Sequence, residues 1–203
     1  MDKLMIIGAG GHGRVVADVV RKEGLYTEIA FLDDAVPAGF AYPCLGKVME
    51  FEKYAKDYDV FVAIGNNRIR RKITETVKSQ GGHLVTIVSP DAVIGSGVTV
   101  GVGSVVLPRA VVNTGTRIGD GVIINTASAL DHDCVVGNFS HIAVGAHLSG
   151  SVHIGENTWM DAGAVAQANV HICNDCKVCV GSAVNCDLEE PGIYAGVPAK
   201  KSI

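Results

Sequence analysis

Apolar and polar positions along the chain follow two rhythms. Up to about residue 88, short apolar runs alternate with segments of helical period. Lys3-Leu-Met-Ile-Ile7 ends at Gly8, and the next segment places Val15, Val16, Val19 and Val20 on one side of a helix. The runs Glu28 to Leu32 and Val60 to Ile64 end at Asp33-Asp34 and at Gly65-Asn66-Asn67. Ile69, Ile73 and Val77 then recur at helical spacing, and Gly81-Gly82 stops that helix. Arg68, Arg70, Arg71 and Lys72 fall on its remaining sides and read as a solvated helix face. Three strands alternating with helices predict a small parallel sheet covered on both sides, a Rossmann-like α/β domain over 1–88.

From Val93 the period becomes six. The chain cuts into 16 consecutive hexads over 93–188, from Val-Ile-Gly-Ser-Gly-Val to Ala-Val-Asn-Cys-Asp-Leu. The second position is aliphatic or Met in every hexad, and the sixth is Ser, Thr, Ala, Val or Cys in all but the last, which has Leu188. A fixed short repeat means a solenoid. Each hexad reads as a short strand plus a turn, with the second residue pointing inward and the small sixth residue near a corner. Three hexads close one triangular turn, so residues 18 apart stack on neighbouring rungs about 4.8 Å apart. A glycine-rich sandwich would alternate in twos instead. The predicted second domain is a parallel β-helix over 89–203 with a C-terminal tail.

Composition narrows the class. Gly supplies 25 of 203 residues while aromatics are 5%, so core volume comes from Val, Ile and Ala packed at close backbone spacing. Seventeen basic against 21 acidic residues give a net charge of −4, which argues against nucleic acid or an anionic membrane as partner. Six cysteines are too few for a disulfide scaffold. Neither a signal-peptide pattern nor a membrane-length apolar run is expected, since the charge-free stretch Ala92 to Pro108 is interrupted by Ser and Gly. A reducing, cytoplasmic location is expected.

Two groups of residues carry chemistry. Gly8, Gly10 and Gly13 fit G-x-G-x-x-G, and Asp33 lies 20 residues beyond Gly13, as in a dinucleotide site. Three strands leave no room for the second half of an NAD fold, but glycines let backbone N–H groups and a helix N-terminus approach any phosphate. In the coil, His132 stands between Asp131 and Asp133, where a carboxylate can orient an imidazole and keep it basic. Gly150 is 18 residues on and stacks over it, so a backbone N–H there is placed to meet a developing oxyanion. A non-catalytic scaffold solenoid has no use for such a group.

The hexads, the closing Gly192-Ile-Tyr-Ala-Gly196-Val-Pro-Ala-Lys200, and the N-terminal Gly8-Ala-Gly-Gly-His12-Gly13, Phe31-Leu-Asp-Asp34 and Ile64-Gly-Asn66 together resemble one family. They are similar to the hexapeptide-repeat sugar-nucleotide N-acetyltransferases of bacterial glycan biosynthesis and the related sialic acid O-acetyltransferases. The resemblance covers essentially the whole chain. It implies a left-handed coil, a homotrimer, and transfer of acetyl from acetyl-CoA to the 4-amino group of a UDP-linked 4-amino-4,6-dideoxy sugar. The alternative reaction is O-acetylation of sialic acid or another sugar hydroxyl. By resemblance His132 is the general base and Asp133 its partner, an Asp where relatives often have Glu, with Asp131 able to replace it. Gly10, Gly11 and His12 would contact the diphosphate, Asp33 and Asp34 the uridine, Ile64, Gly65 and Asn66 the nucleotide, and Asn125 the sugar. His141, the Gly150 amide, and Gly196, Pro198 and Lys200 of the tail would hold acetyl-CoA, with Lys201 also available to its phosphates.

No metal is expected. The closest spacings among the coil histidines are six and nine, and His153 and His171 alone stack. One side of the coil carrying His141, His147 and His153 is expected to be exposed, as an interface lining would be. Cys173-x-x-Cys176-x-x-Cys179 looks like a cluster-binding run, but the hexad phase is expected to spread these residues as small apolar fillers.

Overall fold

The computed structural model describes residues 2–202. The chain divides into two compact units, Met1–Ile87 and Val88–Ile203.

The first unit is built on strands β1 (Lys3–Ile7), β2 (Glu28–Leu32), β3 (Cys44–Gly46), β4 (Asp59–Val62) and β5 (His83–Leu84), with helices α1 (Gly11–Glu23) and α2 (Asn67–Ser79). The sheet is parallel throughout, in the order β3-β2-β1-β4-β5. Leu4 to Ile7 and Val60 to Val62 are almost completely buried, as apolar runs in a parallel sheet must be. Five strands therefore replace the three expected. β3 and β5 are three and two residues long and carry no apolar run that a sequence pattern could register.

Both helices bury a stripe slightly different from the expected one. On α1 the stripe is Gly13, Val16, Ala17 and Val20 with Val19 beside it, while Val15 at its margin is 41% exposed. On α2 it is Asn67, Arg70, Thr74 and Val77, and Ile69 is 51% exposed. Arg70 is thus no part of a solvated face; it is buried. Gly24 ends α1 in the left-handed region and returns its N–H to the Val20 carbonyl.

The second unit is a parallel β-helix. The first two residues of every hexad form a strand, and strands 18 residues apart pair in parallel, as in Val93↔Val111↔Ala129. Face one carries the strands from Val93–Ile94 to Ala183–Val184, face two those from Thr99–Val100 to His171–Ile172, and face three those from Ile87–Val88 to Cys176–Val178. Gly192–Ala195 continues face three in parallel and Lys200–Lys201 closes it in antiparallel. Second-position side chains such as Val106, Ile124, Leu130, Ile142 and Met160 fill one continuous core.

The fifth position decides the corners. From Gly97 to Gly181 every fifth-position residue has positive φ, eight of them not glycine: Arg109, Ala127, Asp133, Phe139, Ser151, Asn157, Asn169 and Asp175. Buried sixth-position hydroxyls serve the corners too. Ser104 Oγ donates to the Gly119 carbonyl at 2.7 Å and accepts from Val122 N–H at 2.8 Å, tying one rung to the next. Such polar side chains are tolerated in the core because both their hydrogen-bonding roles are filled.

His141, His147 and His153 begin three successive strands and so point from three different faces, not one. His141 is buried, His153 half-buried and His147 exposed. A spacing of six is a rotation to the next face, whereas only a spacing of 18 keeps a face.

Candidate active site

The turn Asp131-His132-Asp133-Cys134 joins faces one and two and is held from both neighbouring rungs. From the rung beneath, Thr116 Oγ1 donates to the Asp131 carbonyl at 2.9 Å and accepts from Cys134 N–H at 3.2 Å. Asn113 Nδ2 donates to Asp131 Oδ1 at 3.0 Å, and the same oxygen accepts His132 N–H at 2.8 Å. Asp133 N–H donates to the Thr114 carbonyl at 2.9 Å, and the His132 carbonyl accepts Ser151 N–H from the rung above at 2.8 Å. Asn113 and Thr116 lie 18 residues before Asp131 and Cys134, so the rung spacing already pointed to them.

Asp133, at a fifth position with φ 58°, adopts a left-handed conformation that Asp tolerates better than most residues. Its Oδ2 lies 2.9 Å from His132 Nδ1. With Nδ1–H donating to this carboxylate, the lone pair sits on Nε2. Nε2 looks across Gly150: an added Cβ there would stand 2.5 Å from Nε2 and 2.7 Å from Cε1. The hydrogen bond to Asp133 and then the charge of Asp131 raise the His132 pKa above its ordinary value. A base is active when deprotonated, so activity that uses His132 falls as pH drops through this raised pKa. Asp133→Asn removes a charge while keeping an oxygen near Nδ1. Its acid limb of kcat/KM should move to lower pH and its plateau should fall, because the base is weaker. A pH–rate profile with an unmoved acid limb would remove Asp133 from this role.

In the first unit, the loops after β1 and β4 face each other at the carboxyl ends of adjacent strands, where the strand order reverses. Open α/β sheets bind ligands at such a point. Gly8, at φ +112°, and Gly13 are fixed by packing: a Cβ on Gly8 would meet the Ala63 carbonyl oxygen at 2.8 Å, and one on Gly13 the Gly8 carbonyl oxygen at 1.9 Å. A Cβ added at Gly10 or Gly11 would meet nothing within 4 Å, so no contact within the fold demands glycine there. These two open the N-terminus of α1, where Gly10 is the cap and no side chain satisfies the first amides. His12 Nε2 is buried beside this opening without a hydrogen-bond partner. Burial, then the charge of Arg70, pull the His12 pKa down to about 4, so its imidazole is neutral at physiological pH.

Asp33 acts inside the loop, its Oδ2 accepting Ala9 N–H at 2.6 Å and its Oδ1 Ala35 N–H at 2.7 Å. Asp34 Oδ1 accepts Val48 N–H at 3.1 Å. Arg70 donates to the carbonyls of Ile64 at 2.9 Å and Gly65 at 3.1 Å and to Asn67 Oδ1 at 2.9 Å. Asn66 caps α2 by accepting Ile69 N–H at 3.1 Å. Thus Arg70 builds the turn that bears Ile64, Gly65 and Asn66, a role that the basic run on α2 concealed.

Asn125 and His141 come together on face three, with Asn125 Nδ2 3.0 Å from His141 Nε2 and the imidazole stacked on Trp159 at 4.8 Å between ring centroids. They are not beside His132: their corner joins faces three and one, while His132 and Gly150 occupy the corner between faces one and two. In the tail, the Gly196 carbonyl accepts Ala183 N–H at 3.0 Å and Ala199 N–H donates to the Ala183 carbonyl at 2.7 Å, so Gly196 to Ala199, with Pro198 between them, complete the last rung. Lys200 is exposed. Lys201 pairs with Glu190 at 2.7 Å and so already has an anionic partner. Among the described residues no three of His, Cys, Asp and Glu gather as a metal site.

Comparison with known proteins matches these features to others. Residues 3–77 match the family model of the PglD N-terminal domain. The acetyltransferase domain of PglB from Neisseria gonorrhoeae, also solved in complex with acetyl coenzyme A, is 40% identical, with coverage of 100% of both chains and a TM-score of 0.95. The chain belongs to the hexapeptide-repeat sugar N-acetyltransferases. PerB from Caulobacter crescentus, solved with CoA and GDP-perosamine, is 33% identical over 98% of this chain and 97% of that one, with a TM-score of 0.90. UDP-N-acetylbacillosamine N-acetyltransferase of Bacillus subtilis is 28% identical over 111 residues, and that match spans 52% of this chain and about half, 51%, of that protein. The coil of this transferase is left-handed, and its first unit is the Rossmann-like domain of the family.

Proposed function

We propose that the protein transfers acetyl from acetyl-CoA to the 4-amino group of a UDP-linked 4-amino-4,6-dideoxy sugar. The observation that carries this reading is His132, with Nδ1 committed to Asp133 and Nε2 directed over a residue without a side chain. The amine attacks the thioester carbonyl and His132 Nε2 takes the amine proton. The Gly150 N–H meets the oxyanion, and collapse expels the CoA thiolate, which is reprotonated by the imidazolium. No acyl-enzyme is needed, because the thioester is already activated. The diphosphate lies on the amides of Gly10 and Gly11 with His12 as a neutral donor, the uridine by Asp33 and Asp34, and the turn Ile64 to Asn66 lines the nucleotide. Gly196, Pro198 and Lys200 cover the cofactor's far end.

Asn125 and His141 belong to the same chemistry only if a second chain brings its face three to the His132 corner, which is why we infer a homotrimer with the donor groove between coils. The apolar outer positions of face one, Val93, Val111 and Val165, fit an interface between coils. The deciding assay follows CoA thiol release on size-fractionated protein, offering UDP-4-amino-4,6-dideoxy-GlcNAc, the matching GDP sugar and free sialic acid. Turnover with the UDP sugar, by a species of three chains, is expected. Turnover confined to the GDP sugar would overturn the uridine assignment, turnover confined to sialic acid would establish the O-acetylation reading, and an active monomer would remove the shared groove.

A further inference from the structure

Two cysteines meet on the last rungs of the coil. Cys173 Sγ and Cys176 Sγ are 3.4 Å apart, in van der Waals contact, although the hexad phase predicted separation. The reason is local: Asn174 and Asp175 form the corner turn between them, and Asp175 takes φ 58°. A β-turn brings its end Cα atoms within about 7 Å, inside the span that a disulfide bridges. Among the described residues no other two cysteine sulfurs touch.

The two thiols differ in access. Cys176 fills a buried sixth position, and its Sγ–H lies 3.5 Å from the Glu190 carbonyl. Burial, then the adjacent Cys173, push its pKa up to about 12, so it does not attack an oxidant from solvent and yields its proton only as a leaving thiolate beside it takes it. Cys173 is half-buried and lines a cavity of about 340 Å³ on the outside of the coil, together with His153, His171, Asp187, Leu188 and Glu189. A reagent from solvent therefore reaches Cys173 first.

We propose that Cys173 and Cys176 are a thiol modification site: an entry thiol and a resolving thiol that close to a disulfide when a low-molecular-weight disulfide such as glutathione disulfide is the oxidant. Cys173 sulfur attacks one sulfur of the oxidant, forming a mixed disulfide and releasing one glutathione, which takes the Cys173 proton. Cys176 sulfur then attacks Cys173 sulfur, the protein disulfide forms, and the second glutathione leaves with the Cys176 proton. Two protein thiols lose two electrons in all and one oxidant disulfide gains them. The second step needs only closure of the existing contact to the ~2.05 Å of an S–S bond. It also removes the thiol donor from the Glu190 carbonyl, which retains the Tyr194 hydroxyl at 2.7 Å, at the root of the strand Gly192–Ala195.

The test uses the full native chain incubated with glutathione disulfide, then quenched in acid, alkylated and mapped by mass spectrometry. Of the six cysteines, the pair at 173 and 176 should be lost to alkylation and recovered as one linked peptide free of glutathione, restored by dithiothreitol. Cys176→Ser should retain one glutathione on Cys173, and Cys173→Ser should leave Cys176 an unmodified thiol, with both variants melting like the parent. The parent protein decides the matter even if a variant misfolds. A parent chain in which Cys173 stays glutathionylated, or in which both thiols remain alkylatable while the exposed Cys186 reacts, would overturn the proposal.

Discussion

His132→Ala should lower turnover by at least about 10²-fold, the usual contribution of a positioned general base, with nucleotide-sugar affinity unchanged. The two effects separate because His132 stands on the coil, whereas the glycine loop and the turn built by Arg70 belong to the other compact unit. Little stability is at risk, since the imidazole is half exposed, at 51%. The backbone of its turn is fastened by Thr116, Thr114, Leu148 and Ser151, none of which touches the ring to do so. Steady-state thiol release and calorimetric binding of the sugar nucleotide provide the two readings. A variant that turns over as fast as the parent would dismiss His132 from proton transfer.

Gly150→Ala should be almost as damaging to catalysis while leaving the fold intact. Gly150 is not among the residues with positive φ, so alanine meets no backbone penalty there. The obstacle is the imidazole itself, which must swing away from a Cβ that would lie 2.5 Å from Nε2. A ring that swings loses its line to Asp133 and, on the proposed mechanism, its approach to the attacking amine. A fall in kcat of about 10²-fold or more with an unchanged melting temperature is expected. Gly150→Ala with parental kcat would show that the space over Nε2 is not where the reaction occurs.

The coil was legible because its period is rigid: second-position aliphatics must fill a narrow triangular core, and one misplaced residue would leave a hole in it. The fifth position was equally regular in conformation but not in composition. Phe139 and Arg109 hide a backbone rule that Gly, Asn and Asp elsewhere would reveal. In the first unit, β1, β2 and β4 announced themselves as apolar runs, whereas β3 and β5 are edge strands whose pairing is decided by the sheet already present. Arg70 was misread because periodicity counts a guanidinium as polar and outward. Its buried position depends on three oxygen acceptors that only the folded turn supplies. Of the corner at His132, the stacking of Gly150 follows from the 18-residue spacing, whereas the roles expected of His132 and Asp133 came from the family resemblance. That Asn125 and His141 stand at another corner became visible only once the faces were assigned.

The 18-residue spacing that seats Gly150 over His132 also governs which insertions and deletions the coil can absorb. Losing or gaining one whole rung leaves every downstream side chain on its face and changes only the length of the prism. Losing a single hexad between the two would instead turn everything beyond it by a third of a revolution. Ser149 to Ser151 would leave the corner of His132, and side chains now facing outward would be carried to a different edge. Length in such a coil is therefore quantised: complete turns can be added or removed without parting His132 from the corner that Gly150 shares with it.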